Sequence, residues 1–116
     1  MIDLTGFQKY AYKETISSGT IGESLYVHFD KVLVAGMRKR YSVVPYITMR
    51  VIPSGGATGR IEATLSPKEE IEAGTAVWEN WASGNVTSIT TDGLTFPVTG
   101  LRGVSQTGTI DIEVVF

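Results

Sequence analysis

The chain has 116 residues, a hydrophobic fraction of 42% and a formal net charge of -2 at pH 7. This length allows one hydrophobic core but not two, so we expect a single domain over residues 1–116. The sequence contains no cysteine, which excludes a disulfide scaffold, a thiol nucleophile and thiolate metal ligands. The slightly negative charge predicts no general attraction to nucleic acid or to an anionic membrane.

The first eight residues are expected to form either an N-terminal arm or a first edge strand. They include Ile2, Leu4 and Phe7 and are therefore too apolar for a purely solvated tail. No basic stretch followed by an apolar one is present, so no secretory signal is predicted. No run approaches the roughly 18 apolar residues that suggest a membrane span. We therefore expect the protein to fold in a cytoplasm.

In the N-terminal half, short apolar runs predict strands that are separated by turn residues. A basic tip at Arg38, Lys39 and Arg40 precedes a long candidate strand over residues 41–52. Pro45 within it predicts an edge position or a bulge, because proline cannot donate to a strand ladder. The earlier strands are expected over residues 10–16, 25–29 and 32–35.

One short helix is predicted over residues 67–73. Ser66 to Glu69 has the pattern of a capping box with proline at the first helical position. Gly74 should end the helix. A single helix that continues to residue 82 is the alternative, although Gly74 and Thr75 count against it.

The C-terminal half predicts further strands over residues 61–65, 76–81, 86–91 and 94–104. Asp92 and Gly93 are typical of a two-residue hairpin turn. The clearest strand is the last one, over residues 109–116. There apolar residues alternate with Asp111 and Glu113, which is typical of a strand with one buried face.

About eight short strands with glycine and proline at the turns predict an all-β domain with one short helix. An antiparallel β-sandwich of jelly-roll-like form is the expected architecture. The side chains expected to face inward are Val27, Phe29, Ile47, Ile61, Leu65, Trp78, Ile89, Leu101, Ile110, Ile112 and Val114.

The sequence predicts no enzyme, no metal site and no cofactor. His28 is the only histidine, and a metal site would need partners for it, so a surface or interface position is favoured. Asp111 and Glu113 have a spacing that could fit a glycosidase pair. The polar side of an alternating strand explains these two residues without catalysis.

The basic tip could contact an acidic partner surface or nucleic acid, or it could be a solvated turn. The negative net charge and the lack of interleaved aromatic residues count against nucleic acid.

The two tryptophans, Trp78 and Trp81, are three residues apart and should lie on opposite faces of one strand. We assign Trp78 to the core and Trp81 to a contact surface. Trp81 could bind a protein or stack on a sugar, and core packing from the second face of the sandwich is the third alternative.

Residues 61–116 resemble a pattern found in small β-sandwich proteins of tailed bacteriophages. That pattern combines an Ala-Gly-x-Ala-x-Trp-x-x-Trp core, a Gly-x-Val return and a Pro-Val-Thr-x-Leu-Arg strand. The resemblance covers about half of the chain, and the N-terminal half matches no part of the pattern. The residues that carry it are Leu65-Ser66-Pro67, Glu72-Ala73-Gly74-Thr75-Ala76-Val77-Trp78-Glu79-Asn80-Trp81, Gly84-Asn85-Val86 and Pro97-Val98-Thr99-Gly100-Leu101-Arg102.

The resemblance implies a non-enzymatic virion protein, either a capsid decoration (cement) protein or a small head, neck or tail component. The exposed strand edges, the apolar residues of the N-terminal arm and the basic tip predict a homotrimer. We expect it to bind a major capsid or head–tail protein through its edge strands and that arm, without membrane or nucleic acid. The alternative is a carbohydrate-binding module, or a tail-fibre-associated sandwich, that stacks a sugar on Trp81 or Tyr46. The expected partner contacts are Ile2, Leu4, Phe7, Arg38, Lys39, Arg40 and Trp81.

Overall fold

The computed structural model describes residues 1–4, 11–27, 47–94 and 98–115. This part of the chain forms nine strands and one short helix, so the prediction of a mostly β protein with one short helix is confirmed. The elements are β1 (Ile2–Asp3), β2 (Ala11–Ile16), β3 (Leu25–Tyr26), β4 (Ile47–Pro53), β5 (Thr58–Thr64), α1 (Lys68–Ala73), β6 (Trp78–Asn80), β7 (Thr90–Leu94), β8 (Gly100–Thr107) and β9 (Ile110–Val115).

The strands form two sheets. One sheet has the order β1-β3-β8-β5-β6, and the other has the order β2-β9-β4-β7. Six of the seven strand pairs are antiparallel, and β1 lies parallel to β3. The expected purely antiparallel arrangement is therefore wrong at this edge.

Strand β9 confirms the predicted C-terminal alternation. It lies between β2 and β4, with Ile110, Ile112 and Val114 buried in the core. On the opposite face Glu113 lies 3.5 Å from Lys13 Nζ and 3.3 Å from Arg50 Nη1. The acidic residues thus occupy the outer face of the sheet, as the polar positions of an alternating strand should.

The two sheets pack face to face, and glycine permits their closest approach. A Cβ atom at Gly103 of β8 would lie 2.5 Å from Ile16 Cδ1 and 2.9 Å from Ile112 Cγ2, which belong to the other sheet. A larger residue at this position would force the isoleucine side chains of the facing sheet, or the sheets themselves, to shift, since packed interiors have little spare volume. The core therefore lies between the sheets.

The predicted core set is confirmed in part. Leu65 and Ile89 were expected inside and are 69% and 65% exposed, because both lie just outside the ends of strands. Trp78 is only half-buried, and Phe29 lies outside the described residues. The buried members are Val27, Ile47, Ile61, Leu101, Ile110, Ile112 and Val114.

The helix α1 has the predicted position and end but not the predicted cap. Pro67 is its N-cap residue, and no side chain caps the first turn. The Ser66 hydroxyl instead accepts a hydrogen bond from the Val77 N–H at 3.0 Å. Gly74 ends the helix in the left-handed conformation, with φ 77°. Ile71 is the buried residue of the helix and packs over Gly100 of β8.

The predicted hairpin turn at Asp92 and Gly93 is wrong. Both residues lie within β7, where they pair with Met49 and Thr48 of β4. The Asp92 carboxylate accepts a hydrogen bond from the Gly93 N–H at 2.8 Å. The local side-chain to backbone hydrogen bond that aspartate often forms in turns is thus formed here inside a strand.

In the described residues, no helix is long and apolar enough to cross a membrane.

Candidate functional site

The N-terminal residues form part of the protein's own core. Strand β1 pairs with β3, the Leu4 N–H donates to the Tyr26 carbonyl at 2.8 Å, and Leu4 is fully buried. Ile2 packs partly buried against the same core. Of the two alternatives for this segment, residues 1–4 fit the edge strand and not the arm. The prediction that Leu4 contacts a partner is wrong, because its side chain is buried in the protein's own core.

The other predicted contact residues in the N-terminal half lie outside the described part of the chain. These are Phe7, Arg38, Lys39 and Arg40, and the same holds for His28 and Tyr46.

Trp81 is a core residue, which corrects its assignment to a contact surface. It is 4% exposed, and its indole N–H donates to the Gly84 carbonyl at 2.6 Å. The reason is strand register: Trp78 pairs with Thr64, whereas the inward-facing Ala63 pairs with Glu79. The prediction that the two tryptophans lie on opposite faces of the strand is confirmed. The assignment of the faces is wrong, because Trp81 and not Trp78 lies in the core.

Trp78 lies on the outer face of the five-stranded sheet and contacts Arg102. The guanidinium carbon of Arg102 lies 4.3 Å from the centroid of the Trp78 ring, which is a cation–π arrangement. Strand β5 separates the two residues in the sheet, so this contact could not be recognised without the strand order. Tryptophan and arginine are enriched where proteins bind one another.

A buried carboxylate fixes Arg102 in this position. Glu62 is 7% exposed, and its two oxygens bind two different arginines. Oε1 accepts from Arg102 Nε at 2.8 Å and lies 2.7 Å from Nη2, while Oε2 lies 2.9 Å from Arg60 Nη2. The group carries two positive charges and one negative charge and therefore a net charge of +1.

Replacement of Glu62 by glutamine should lower the free energy of unfolding by about 2 kcal/mol, because charge-assisted hydrogen bonds to two guanidinium groups are lost. Urea unfolding should show this as a lower midpoint with an unchanged slope. The exposed Glu69 of α1 is the control, and Glu69→Gln should change stability by less than about 0.5 kcal/mol. Equal effects of the two substitutions would contradict a structural role for the Arg60–Glu62–Arg102 group.

A pocket of about 490 Å³ opens on the inner side of β6. It lies where the edge strands β6 and β7 of the two sheets face each other. Its floor is apolar and includes the buried side chains of Met49, Trp81, Leu94 and Val98. This volume falls in the range of about 300–1,000 Å³ typical of binding pockets.

The rim of the pocket combines exposed apolar and acidic side chains. Leu65 and Val77 are 69% and 70% exposed and lie at its edge. Glu79 comes from β6, Asp92 from β7 and Glu70 from α1. No lysine or arginine lines the pocket among the described residues.

The described residues around the pocket present apolar side chains together with carboxylates. Within the described ranges, no three histidine, aspartate or glutamate side chains come close enough to hold a metal ion. The pocket's carboxylates are joined by no described histidine or basic side chain, whereas its edge is rich in exposed apolar area. We call the surface formed by Leu65, Val77, Trp78, Arg102 and the pocket the β6 surface.

Comparisons with known proteins provide no relative for this chain. No family model, no curated protein and no solved structure matches it. The geometry of the β6 surface is therefore the basis for assigning a function.

Proposed function

We propose that the chain is a non-enzymatic structural protein that acts through protein–protein contacts. The β6 surface is the observation that supports this proposal. On the inner side of β6 it places two aliphatic side chains that are about 70% exposed beside a pocket with an apolar floor. On the outer face of the same edge strand a tryptophan is stacked on an arginine. Exposed apolar side chains that line the edge of an apolar pocket are typical of interaction sites.

The particular role that we propose is that of a capsid decoration protein of a tailed bacteriophage. The resemblance of residues 61–116 to small phage β-sandwich proteins supports it. The residues that carry this resemblance also build the β6 surface: Val77 and Trp78 come from one part of the pattern and Arg102 from another. We further propose that the two sheets form a β-sandwich of jelly-roll type, and that the protein ends in the virion after synthesis in the host cytoplasm.

We propose that the protein assembles as a homotrimer through the outer edge of β2. This strand stands last in its sheet among the described strands and extends over six residues, so its outer backbone groups can pair with another chain. The β6 surface then binds the phage shell. Individual contacts at such surfaces are weak, and their repetition by symmetry makes attachment firm.

The carbohydrate-binding alternative has no support in the described residues. Trp81 is buried and offers no stacking face. Tyr46 lies outside the described residues, and Trp78 is already stacked on Arg102.

The double substitution Leu65→Ser and Val77→Ser should abolish attachment to the shell without loss of the trimer. Cosedimentation with head shells of the phage that encodes the protein measures attachment, and light scattering measures the mass. Ile21→Ser with Ile89→Ser is the matched control, because these aliphatic side chains are 56% and 65% exposed but lie outside the pocket. This control should bind the shell as the wild type does.

Full shell occupancy by the Leu65 and Val77 variant would disprove the role of the β6 surface. A wild-type mass of 12.6 kDa in light scattering would disprove the trimer, since that is the mass of one chain.

A further inference from the structure

We infer that the β6 edge receives an extended basic segment of a partner protein, which pairs with the strand and places a lysine or arginine side chain in the adjoining pocket. This inference rests on the proposed contact function and names the chemistry of the partner. Three features carry it: the outer backbone groups of β6, which pair with no described strand, the pocket on its inner side, and the sign of the charge around that pocket.

The backbone of β6 has groups that face away from the sheet. Val77 N–H donates to the Ser66 hydroxyl, Val77 O accepts from the Thr64 hydroxyl at 2.7 Å, and Trp81 N–H donates to Ile61 O at 2.9 Å. Residues 77, 79 and 81 thus face β5, because the direction of backbone groups alternates along a strand. The N–H and C=O groups of Trp78 and Asn80 therefore point outward, at the end of the described sheet.

The pocket lies within reach of a strand added at this edge. Successive side chains of a strand point to opposite faces. Every second side chain of an added strand would therefore turn toward the inner side of β6, where the pocket opens. This combination of a free edge with a side-chain pocket is how proteins recognise extended peptides by β-strand addition.

The charge around the pocket selects a cation. Glu79 and Asp92 approach it from opposite sheets, and Glu70 approaches it from the helix. Asp92 pairs with the buried Met49 and so lies on the inward side of β7. Neither Glu79 nor Glu70 forms an ion pair with a described residue. A lysine or arginine fits this environment, since its aliphatic stem can lie on the apolar floor while its charge stays at the acidic rim.

A second copy of β6 is a poor occupant of this site. Antiparallel pairing of β6 with itself would bring two copies of the acidic Glu79 close together, and like charges across strands are destabilising. Acidic side chains that point inward at an edge also protect sheets from unwanted pairing. A basic strand from a different protein does not meet this repulsion.

The full chain, labelled with 15N, can be titrated with two synthetic hexapeptides followed by NMR. The basic probe is acetyl-Thr-Val-Lys-Val-Lys-Thr-amide, and the acidic probe has glutamate in place of both lysines. We expect the basic peptide to shift the backbone amides of Trp78 and Asn80 and the indole N–H of Trp81. It should bind at least about tenfold more tightly than the acidic peptide, because the rim repels glutamate.

Two variants and one control test the contribution of the charge separately from that of the strand edge. Glu79→Gln with Asp92→Asn should weaken the basic peptide about three- to tenfold, since each exposed ion pair contributes little. The control, Glu69→Gln with Glu72→Gln, also removes two negative charges, but from helix residues that do not line the pocket. It should change binding less than about twofold. Asn80→Pro should abolish the shifts, because it removes an outward N–H that β5 does not use, and proline is tolerated at such edge positions.

Equal affinity of the two peptides would overturn the charge preference. Absence of shifts at β6 with both peptides would overturn the inference as a whole and leave the carboxylates as protection of the edge. Because this titration needs neither the trimer nor a phage shell, its failure would not by itself disprove the decoration role, which the cosedimentation experiment tests separately.

Discussion

Replacement of Trp81 by alanine should lower the free energy of unfolding by about 3–5 kcal/mol, the range for truncation of a large aromatic side chain in a core. Trp81 is 4% exposed and belongs to the core cluster between the sheets. Its indole N–H also donates a hydrogen bond to the Gly84 carbonyl in the turn that follows β6. Alanine would leave a cavity and an unpaired carbonyl group.

Trp78 provides the matched comparison for this effect. It is half-buried on the outer face, and its main specific contact is the stacking with Arg102. Trp78→Ala should therefore cost only about 1 kcal/mol, the scale of a partly exposed cation–π contact. Urea unfolding of both variants measures the difference, with the slope as the check for two-state behaviour.

Fluorescence quenching gives a second measurement of the same assignment. Trp78→Phe leaves Trp81 as the only tryptophan, and Trp81→Phe leaves Trp78. Iodide should quench the emission of Trp78 much more strongly than that of Trp81, because a charged quencher reaches only exposed rings. Equal quenching would contradict the difference in exposure between the two rings. Stronger quenching of Trp81, with a larger stability loss on truncation of Trp78, would instead support Trp78 in the core.

The exchanged faces of the tryptophans show why alternation alone predicts this fold incompletely. In β9 the alternation is uninterrupted over Ile110 to Val115, so the buried face follows from the sequence. The strand β6 has only three residues, and its phase depends on the pairing of Trp78 with Thr64, which the sequence does not reveal.

The exposed Leu65 and Ile89 have a related cause. Both continue an apolar alternation by one step, but β5 ends at Thr64 and β7 begins at Thr90. A side chain beyond the end of a strand loses the opposite sheet as a packing partner. Strand boundaries are set by tertiary pairing and are therefore weakly encoded in short local patterns.

The sequence contains the residues of the candidate site but does not show that they come together. The sequence shows Trp78, Glu62 and Arg102 as individual residues, and it shows exposed polar positions on alternating strands. Their convergence requires β5 to lie between β6 and β8, which is a non-local feature of the sheet order. The acidic rim has the same origin, because Glu79 and Asp92 belong to different sheets.

Replacement of Leu4 by alanine should lower the free energy of unfolding by about 3 kcal/mol, within the usual range of about 2–5 kcal/mol for a buried leucine. Leu4 is fully buried, although it is only the fourth residue of the chain. Strand β1 holds it there through the hydrogen bonds from Ile2 N–H to Ser24 O and from Leu4 N–H to Tyr26 O, both at 2.8 Å. The ion pair between Asp3 and Lys68 at 3.0 Å attaches the same segment to α1.

The alternative is that the N-terminal residues become ordered only in an oligomer, and it predicts a different result for Leu4→Ala. In that case Leu4→Ala would leave the unfolding of dilute protein unchanged and would weaken only self-association. Ile89→Ala is the control, because the sequence also predicts this aliphatic residue inside, whereas it is 65% exposed and should cost less than about 0.5 kcal/mol. Urea unfolding at several protein concentrations distinguishes the two cases, because a folding defect within one chain lowers the midpoint at every concentration, whereas an association defect disappears on dilution.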